Sequence, residues 1–339
     1  MGPGGTVDEI RGTVHFTTIP TRAMKIVHSP RPSLSAPRPA PVFAATLVCL
    51  IAAAQAVASA PLHLEAERKG DRVVVTVDGV PFTEYEFGEE WKYPHFYPVN
   101  GPATGQSVTV RRTDPFPHHT SLFFSCDRVN GGNYWQQGLE RGRIASEDIR
   151  LVRSSGDEVV FEQDARWVRP DAPSPFADHR VITVRAPSEN LRVIDYAITL
   201  RALIDVTIER TNHSLFSARM APDLAVDGGG SLINDRGQSG EDETFGKNAR
   251  WMDTRGPRGE AVEGLAILPH PQNDWMPTPW FTRNYGFFSP TPTFWWTEPF
   301  QMKTGETLTF RYRVVVHSGD PAPAEIDRML ENWEAEHGK

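Results

Sequence analysis

Residues 191–210, LRVIDYAITLRALIDVTIER, decide the fold. Apolar and polar residues alternate along this stretch. Ile194 and Tyr196 lie on one face, and Asp195 and Thr199 lie on the other. A period of two residues is that of a β-strand with one buried face. The stretch therefore predicts a long strand in a sheet that packs against a core.

Similar alternation recurs along most of the chain, and Gly-Asp and Asp-Gly turn signals separate the segments. The segments are 62–82, 107–112, 149–168, 180–186, 263–270 and 306–319. Helical spacing of apolar residues occurs only in 323–339. Residues 225–259 are rich in Gly, Asp, Glu and Asn and predict a long functional or disordered loop. We therefore expect an all-β fold, a large antiparallel, supersandwich-like β-sandwich with a short C-terminal helix.

Residues 1–60 predict a leader that is removed on export. Four basic residues between 22 and 38 precede an apolar, alanine-rich stretch at 41–60, which ends in small residues. This arrangement is typical of a secretory signal peptide, and the apolar core is too short for a permanent membrane span. We expect residues 61–339 to form one β-sandwich domain in the periplasm or outside the cell, without membrane insertion.

Net charge and cysteine content exclude some binding partners and an internal disulfide. The first 60 residues hold five Lys or Arg and two Asp or Glu, so 30 basic and 41 acidic residues remain, with a formal charge of −11. Nucleic acids and anionic membrane surfaces attract basic patches, so neither is an expected partner. Only Cys126 remains after the leader, which excludes an internal disulfide.

Three segments concentrate the residues that could do chemistry: 117–138, 233–253 and 270–288. The third mixes histidine, asparagine and arginine with aromatic residues. Aromatic rings stack on the C–H faces of sugars, and planar polar groups bind their hydroxyls. Each Trp taken singly could equally fill a sandwich core. The combination favours a carbohydrate ligand, and convergence of the three segments would create its site.

Metal chemistry is the weaker alternative. The chain has paired histidines at His118 and His119, but no H-x-x-x-H or similar spacing of metal ligands. Neighbouring residues of a strand point to opposite faces, so we expect only one of the pair to face a pocket. No cofactor is predicted, although a divalent metal remains an open alternative.

Two kinds of acid/base chemistry stay open for a sugar substrate. A glycosidase needs two facing carboxylates, and the loops offer several candidates, Asp127 and Glu241 among them, that the sequence cannot pair. A polysaccharide lyase needs a His or Tyr base and a cation or amide that holds a carboxylate. His119, His270, Tyr285, Arg283 and Asn273 could supply those groups.

Six segments together resemble an exported bacterial family labelled methane oxygenase PmoA-like. The segments are PHHTSLFF (117–124), NYWQQG (133–138), NHSLFSARMAP (212–222), FGKNARWMDTRG (245–256), GLAILPHPQN (264–273) and PWFTRNYGFF (279–288). The pattern departs from the family at Thr120, where the family often has Arg, and at Phe123, where it often has Trp.

The resemblance implies a secreted β-sandwich from bacteria that degrade complex glycans. The methane oxygenase label itself conflicts with the sequence. A membrane methane monooxygenase subunit needs several apolar spans of about twenty residues, and residues 61–339 contain none.

We therefore predict an exported enzyme that cleaves a glycosidic linkage in a sugar or glycan, of the glycoside hydrolase or lyase type. The alternatives are a non-catalytic glycan-binding module and a metal-dependent enzyme. The predicted acid/base residues are His119 and His270. The predicted sugar platform is Trp280 with Tyr285, and the predicted polar contacts are His118, Lys247, Asn273 and Arg283.

Overall fold

The computed structural model describes residues 62–136 and 138–337. The predicted leader lies outside the described residues. Most of the described chain is antiparallel β-structure, and this confirms the expected fold class. The C-terminal helix is also present as expected. No helix within these residues is long and apolar enough to cross a membrane.

The strands and helices follow one another along the chain in a simple order. The first strands are β1 (Leu64–Lys69), β2 (Arg72–Val77), β3 (Val80–Glu86), β4 (His95–Val99), β5 (Arg111–Thr113), β6 (Phe116–Thr120), β7 (Leu122–Ser125), β8 (Arg143–Arg153), β9 (Ser155–Gly156), β10 (Glu158–Val168) and β11 (Phe176–Ser188). The remaining elements are β12 (Leu191–Ala202), β13 (Val206–Ile208), β14 (Leu215–Arg219), β15 (Ser231–Asn234), α1 (Gly240–Thr244), β16 (Met252–Arg258), β17 (Ala261–Pro269), β18 (Trp280–Arg283), β19 (Phe287–Pro290), β20 (Phe300–Met302), β21 (Thr307–Ser318) and α2 (Pro323–His337).

Two large sheets form the layers of the sandwich. A nine-stranded sheet has the order β18-β19-β14-β7-β4-β3-β2-β1-β9, and an eight-stranded sheet has the order β15-β16-β17-β21-β12-β11-β10-β8. Two short pairs, β5 with β6 and β13 with β20, lie outside these sheets. Every strand pair within the sheets is antiparallel.

The core lies between the two sheets and is rich in aromatic side chains. Phe216 of the nine-stranded sheet stacks on Tyr312 of the eight-stranded sheet, with ring centroids 4.7 Å apart. Tyr196 on β12 packs against the same Phe216 at 5.1 Å. The predicted alternation of β12 is confirmed, because Ile194 and Tyr196 are buried whereas Asp195 and Thr199 are partly exposed. Burial of one face of each sheet is what this period-two pattern encodes.

Helix α2 covers the outer face of the eight-stranded sheet. Its apolar residues Ile326, Leu330 and Trp333 pack on Leu268 and Val315, which point away from the sandwich core. The helix therefore gives this sheet a second, smaller apolar cluster. The spacing of its apolar residues is the helical pattern that the sequence predicts.

Residues 225–259 differ from the predicted loop. They contain β15, the short helix α1 and β16, and β16 pairs with β17 along its whole length. The segment carries little strand signal of its own, because β16 includes Gly256 and Pro257. Pairing with the apolar strand β17 supplies the order that local propensity does not.

Candidate functional site

His118 and His119 lie on β6, in the hairpin that β5 and β6 form at the nine-stranded sheet. Their rings meet edge to face with centroids 4.5 Å apart. The two rings therefore do not point to opposite faces as expected, although only His118 is partly exposed. The pairing of β5 with β6 shifts register between Arg111 and Thr113, so strict alternation does not hold in this short hairpin.

Aromatic side chains pack around the histidine pair. Trp135 contacts both rings, at 5.3 Å from His118 and 5.6 Å from His119. His119 also stacks on Phe287 at 4.3 Å and lies 6.1 Å from the ring of Tyr285. These side chains come from β6, β19 and the loops at one end of the nine-stranded sheet. We call the group of His118, His119, Trp135, Arg219 and Tyr285 the histidine cluster.

The two histidines differ in exposure. His119 is buried, with 3% of its surface exposed, whereas His118 is partly exposed. Burial, together with the charges of His213 and Lys92, lowers the pKa of His118 to about 4. Burial and the charge of His118 lower the pKa of His119 to about 2. Both rings are therefore neutral near pH 7, and His118 is the one that a ligand can reach.

Several buried polar atoms of the cluster lack a hydrogen-bond partner within residues 62–136 and 138–337. They are Nδ1 of His118, Nδ1 of His119, Nε1 of Trp135 and Nε of Arg219. Buried polar atoms in native proteins are almost always paired. Four unpaired atoms in contiguous side chains therefore mark a place where a ligand or solvent can complete the bonding.

Arg219 brings a buried positive charge to the cluster. It ends β14 with 6% of its surface exposed, and its guanidinium lies 4.4 Å above the ring of Tyr285. Its Nη1 donates to the carbonyl oxygen of Tyr285. In the described part of the chain, no carboxylate lies within ion-pair distance of Arg219. Burial lowers the pKa of this guanidinium, and buried charges normally have a partner.

A third histidine, His213, reaches the cluster from the turn before β14. Its ring lies 4.6 Å from that of Trp135. The buried carboxylate of Asp127 lies 3.3 Å from its Nε2, and Oδ1 of Asn212 lies 2.8 Å from its Nδ1. A carboxylate beside an imidazole fixes the orientation of the ring.

Arg283 and Lys92 complete the polar surroundings. Arg283 forms an ion pair with Glu241 and stacks over the ring of Phe281 at 4.6 Å. Lys92 donates to the carbonyl oxygen of Gly138 at 2.6 Å. Burial lowers the pKa of Lys92 to about 8.

Two of the predicted catalytic and polar residues lie elsewhere. His270 is buried at the end of β17, and its ring packs edge-on against Trp333 of helix α2 at 4.8 Å. It therefore lies on the outer face of the eight-stranded sheet, and the sandwich separates it from His119. The side-chain amide of Asn273 donates to the carbonyl oxygen of Arg311 and accepts from its backbone N–H, both at 2.8 Å, and so supports that turn. The predicted pairing of His119 with His270 is wrong.

Trp280 and Lys247 also fall outside the histidine cluster. Alternation on β18 puts Trp280 on the face opposite Arg283, where it is fully buried against Phe288 and donates to the Ala249 carbonyl oxygen. A buried Trp cannot present a platform to a sugar. Lys247 is exposed, and its backbone pairs with Trp280 and Thr244. Of the predicted site residues, His118, His119, Arg283 and Tyr285 come together.

Sequence reasoning did not select Arg219. It named Asp127 only among several loop carboxylates and did not pair it with His213. A usable signal existed for Arg219. Alternation along β14 points Phe216 into the core, so Arg219, three residues on, faces outward beside its paired residue Phe287. No comparable spacing links Asp127 to His213, which are 86 positions apart.

The described ranges contain no preformed group of metal ligands. No set of three or more His, Cys, Asp or Glu side chains there is arranged to hold an ion. The three histidines of this region contact aromatic rings instead of converging on one point.

A family model matches residues 72–331, which is most of the chain. The chain belongs to DUF6807, a family of unknown function. No curated protein sequence matches it.

Solved structures resemble this member of DUF6807 only distantly. One is a provisionally assigned aldose 1-epimerase from Escherichia coli K12, with 10% identity, a TM-score of 0.33, and coverage of 76% of this chain and 98% of that one. Another, also provisionally assigned as an aldose 1-epimerase, comes from Klebsiella pneumoniae, with 8% identity, a TM-score of 0.39, and coverage of 80% and 87%. A polysaccharide lyase matches with 9% identity and a TM-score of 0.29, over 77% of this chain and 33% of that one. At these values the likeness carries no functional argument.

Proposed function

We propose that this protein is a carbohydrate-active enzyme that cleaves a glycosidic linkage next to an acidic sugar by β-elimination. The observation that carries the proposal is Arg219, a buried guanidinium without a carboxylate partner in the described chain, beside His119 and Tyr285. The carboxylate of a uronic acid would supply the missing negative charge and accept a hydrogen bond from Nε.

The reaction needs a base, an acid and a group that stabilises negative charge. His118 is neutral and accessible, so it would take the proton from the carbon next to the carboxylate. The released electron pair forms a C=C bond, and the glycosidic C–O bond breaks. Arg219 would stabilise the charge that develops on the carboxylate. Burial raises the pKa of the Tyr285 hydroxyl, which stays protonated and would donate its proton to the leaving oxygen.

The charges around the cluster support elimination over hydrolysis. A glycoside hydrolase uses two carboxyl groups that face each other across the scissile bond. Two carboxylates near the cluster, Asp127 and Glu241, are engaged by His213 and Arg283 respectively, and Asp227, whose charge also acts on Arg219, is exposed. Elimination uses none of them and needs no water as a reactant.

The remaining sequence predictions fit this reaction without being tested by it. A polymeric acidic glycan is an extracellular substrate, which suits an exported protein with a signal peptide. We propose no cofactor, because proton transfer to His118 and from Tyr285 balances the reaction. The resemblance to the PmoA-like family is likewise compatible with this proposal and adds no residue to it.

The test is product formation from uronic-acid glycans by the purified full-length chain. The new C=C bond is conjugated to the carboxylate, so ultraviolet absorbance follows its formation. We expect Arg219→Gln and His118→Asn each to lower kcat/KM by about 100-fold or more. Arg166→Gln is the matched control, because Arg166 is an exposed arginine that forms an ion pair with Glu147.

Three results would contradict the proposal. Release of a reducing end without the new absorbance would mean hydrolysis. Glycan binding that survives His118→Asn, with no product from any acidic or neutral glycan, would mean a binding module. Retention of full activity by Arg219→Gln would exclude the role given to this arginine.

A further inference from the structure

Trp295 is an exposed aromatic side chain that the rest of the protein holds in place. Of the aromatic residues in the described chain, only Trp295 is mostly exposed, at 60%. Its Nε1 donates to the carbonyl oxygen of Gly246 at 2.9 Å. A Cβ on Gly246 would lie 2.8 Å from Cζ2 of Trp295, so the glycine lets the edge of the ring approach the backbone. Phe294 supports the ring at 4.6 Å.

Trp295 lines two clefts. One has a volume of about 650 Å³, and another has about 470 Å³. Both include the stretch 295–299. The larger cleft adds Arg128, Glu209 and Arg210, and the smaller one adds Trp275 and Phe300. Aromatic rings with flanking arginine and glutamate are the side chains that bind sugars, by stacking and by hydrogen bonds to hydroxyls.

The larger cleft continues towards the histidine cluster. A third cleft, of about 290 Å³, shares Arg128 and Glu209 with it and extends to Asp127 and Gln136. Arg128 spans the junction: its Nη1 donates to the Arg210 carbonyl oxygen at 3.2 Å, and its Nε lies 3.8 Å from Asp127. Asp127 in turn contacts His213 beside Trp135. We call the three clefts together the tryptophan groove.

We infer that the tryptophan groove binds additional sugar residues of a glycan chain whose scissile linkage lies at the histidine cluster. The substrate would then be a polysaccharide or a long oligosaccharide, and not a single sugar or a disaccharide. This inference rests on the proposed function. Its own support is the continuity of the three clefts and the preorganised, exposed ring of Trp295, which loses little conformational freedom on binding.

The test compares substrate lengths with the full chain. Polymeric and trisaccharide forms of one uronic-acid glycan are assayed with the wild type and with Trp295→Ala and Trp295→Phe. We expect Trp295→Ala to raise the KM for the polymer roughly threefold to tenfold relative to that for the trisaccharide. Trp295→Phe should restore most of the difference, because a ring remains. The control is Val152→Ala, at an exposed apolar residue with 58% exposure.

Failure of this inference can be told apart from failure of the proposed function. An unchanged ratio of the two KM values in Trp295→Ala overturns the role of the groove, even if both substrates are cleaved. If no glycan is cleaved, calorimetric titration of the polymer still tests the groove. Binding lost in Trp295→Ala but kept in Arg219→Gln supports a glycan-binding groove and overturns only the elimination. Binding unaffected by Trp295→Ala overturns the inference.

Discussion

Arg180 and Arg219 are both buried arginines, but their surroundings differ. Arg180 lies in the sandwich core with no exposed surface. Its Nε and Nη2 donate to the two carboxylate oxygens of Asp178, at 2.7 and 3.0 Å, and its Nη1 donates to the Tyr85 hydroxyl at 3.0 Å. Arg219 donates to one backbone carbonyl, stacks on Tyr285 and leaves its Nε unpaired in the described chain.

The difference separates a structural role from a functional one. A bidentate pair such as Arg180 with Asp178 satisfies the charge and fixes the geometry of the side chains around it. The hydroxyl of Tyr85 comes from the nine-stranded sheet and Arg180 from the eight-stranded sheet, so the network also joins the two layers. An incompletely paired cation such as Arg219 lowers the free energy of unfolding. Proteins retain such unfavourable groups mainly at functional sites, where a ligand completes the pairing.

The largest effect on stability is expected from Asp178→Ala. This change leaves the Arg180 charge buried without its carboxylate and also removes the acceptor of the Trp167 indole, at 2.7 Å. Breaking a buried pair in this way costs about 3–5 kcal/mol. Urea denaturation at neutral pH measures the loss in the free energy of unfolding.

The matched control is Asp148→Ala on β8. Asp148 pairs with Arg150 at 2.9 Å, but 52% of its side chain is exposed. An exposed pair contributes about 0–1 kcal/mol. Equal losses from Asp178→Ala and Asp148→Ala would show that the core network has no special role.

The contrast between these arginines also shows what the sequence can reveal. Alternation in residues 191–202 and 307–318 predicts strands because each sheet buries one face, and the structure confirms it. The pattern does not tell which layer a side chain joins. His270 and His119 both look like site residues, yet they lie outside different sheets. Arg219 was overlooked because alternation along β14 indicates only that it faces away from the core, and not that it lies beside Tyr285.

Local composition was informative only where it agreed with tertiary contacts. The paired histidines and the segment 283–285 stood out by composition, and they do meet in the structure. Trp280 stood out equally, but strand alternation turns it inward. The composition of residues 252–258 is typical of a loop, but they form a strand because they pair with β17. The sequence alone does not show which segment pairs with β17.

The buried ring of His119 predicts an acid-sensitive stability. Its pKa is about 2 in the folded protein and about 6.5 when unfolded, so the unfolded state binds more protons between these values. The free energy of unfolding therefore falls as the pH drops below about 6.5. One such proton corresponds to about 1.4 kcal/mol per pH unit. Urea denaturation at several pH values from 7 to 4.5 measures this dependence. The free energy of unfolding should change less with pH in His119→Phe than in the wild type.

The comparison variant is Phe116→Leu, which alters a ring that stacks on His119 at 4.9 Å without adding or removing a titratable group. In this variant the free energy of unfolding should depend on pH as it does in the wild type, and it should differ from the wild-type value by a similar amount at every pH. A slope that is the same in the wild type and in His119→Phe would show that this histidine is not held in the neutral form.

The smallest effect on stability is expected from Arg219→Met, although it should abolish activity. Methionine keeps much of the apolar contact with Tyr285 and removes a buried charge that has no carboxylate partner in the described chain. Loss of the hydrogen bond to the Tyr285 carbonyl oxygen costs about 1 kcal/mol, which offsets the stabilisation from removing the buried charge. The free energy of unfolding should therefore change by about 1 kcal/mol or less. Arg180→Met should instead destabilise strongly, because it leaves Asp178 buried and unpaired. Urea denaturation of the two variants side by side measures the difference. A loss of several kcal/mol from Arg219→Met would mean that this arginine holds the fold together, as Arg180 does.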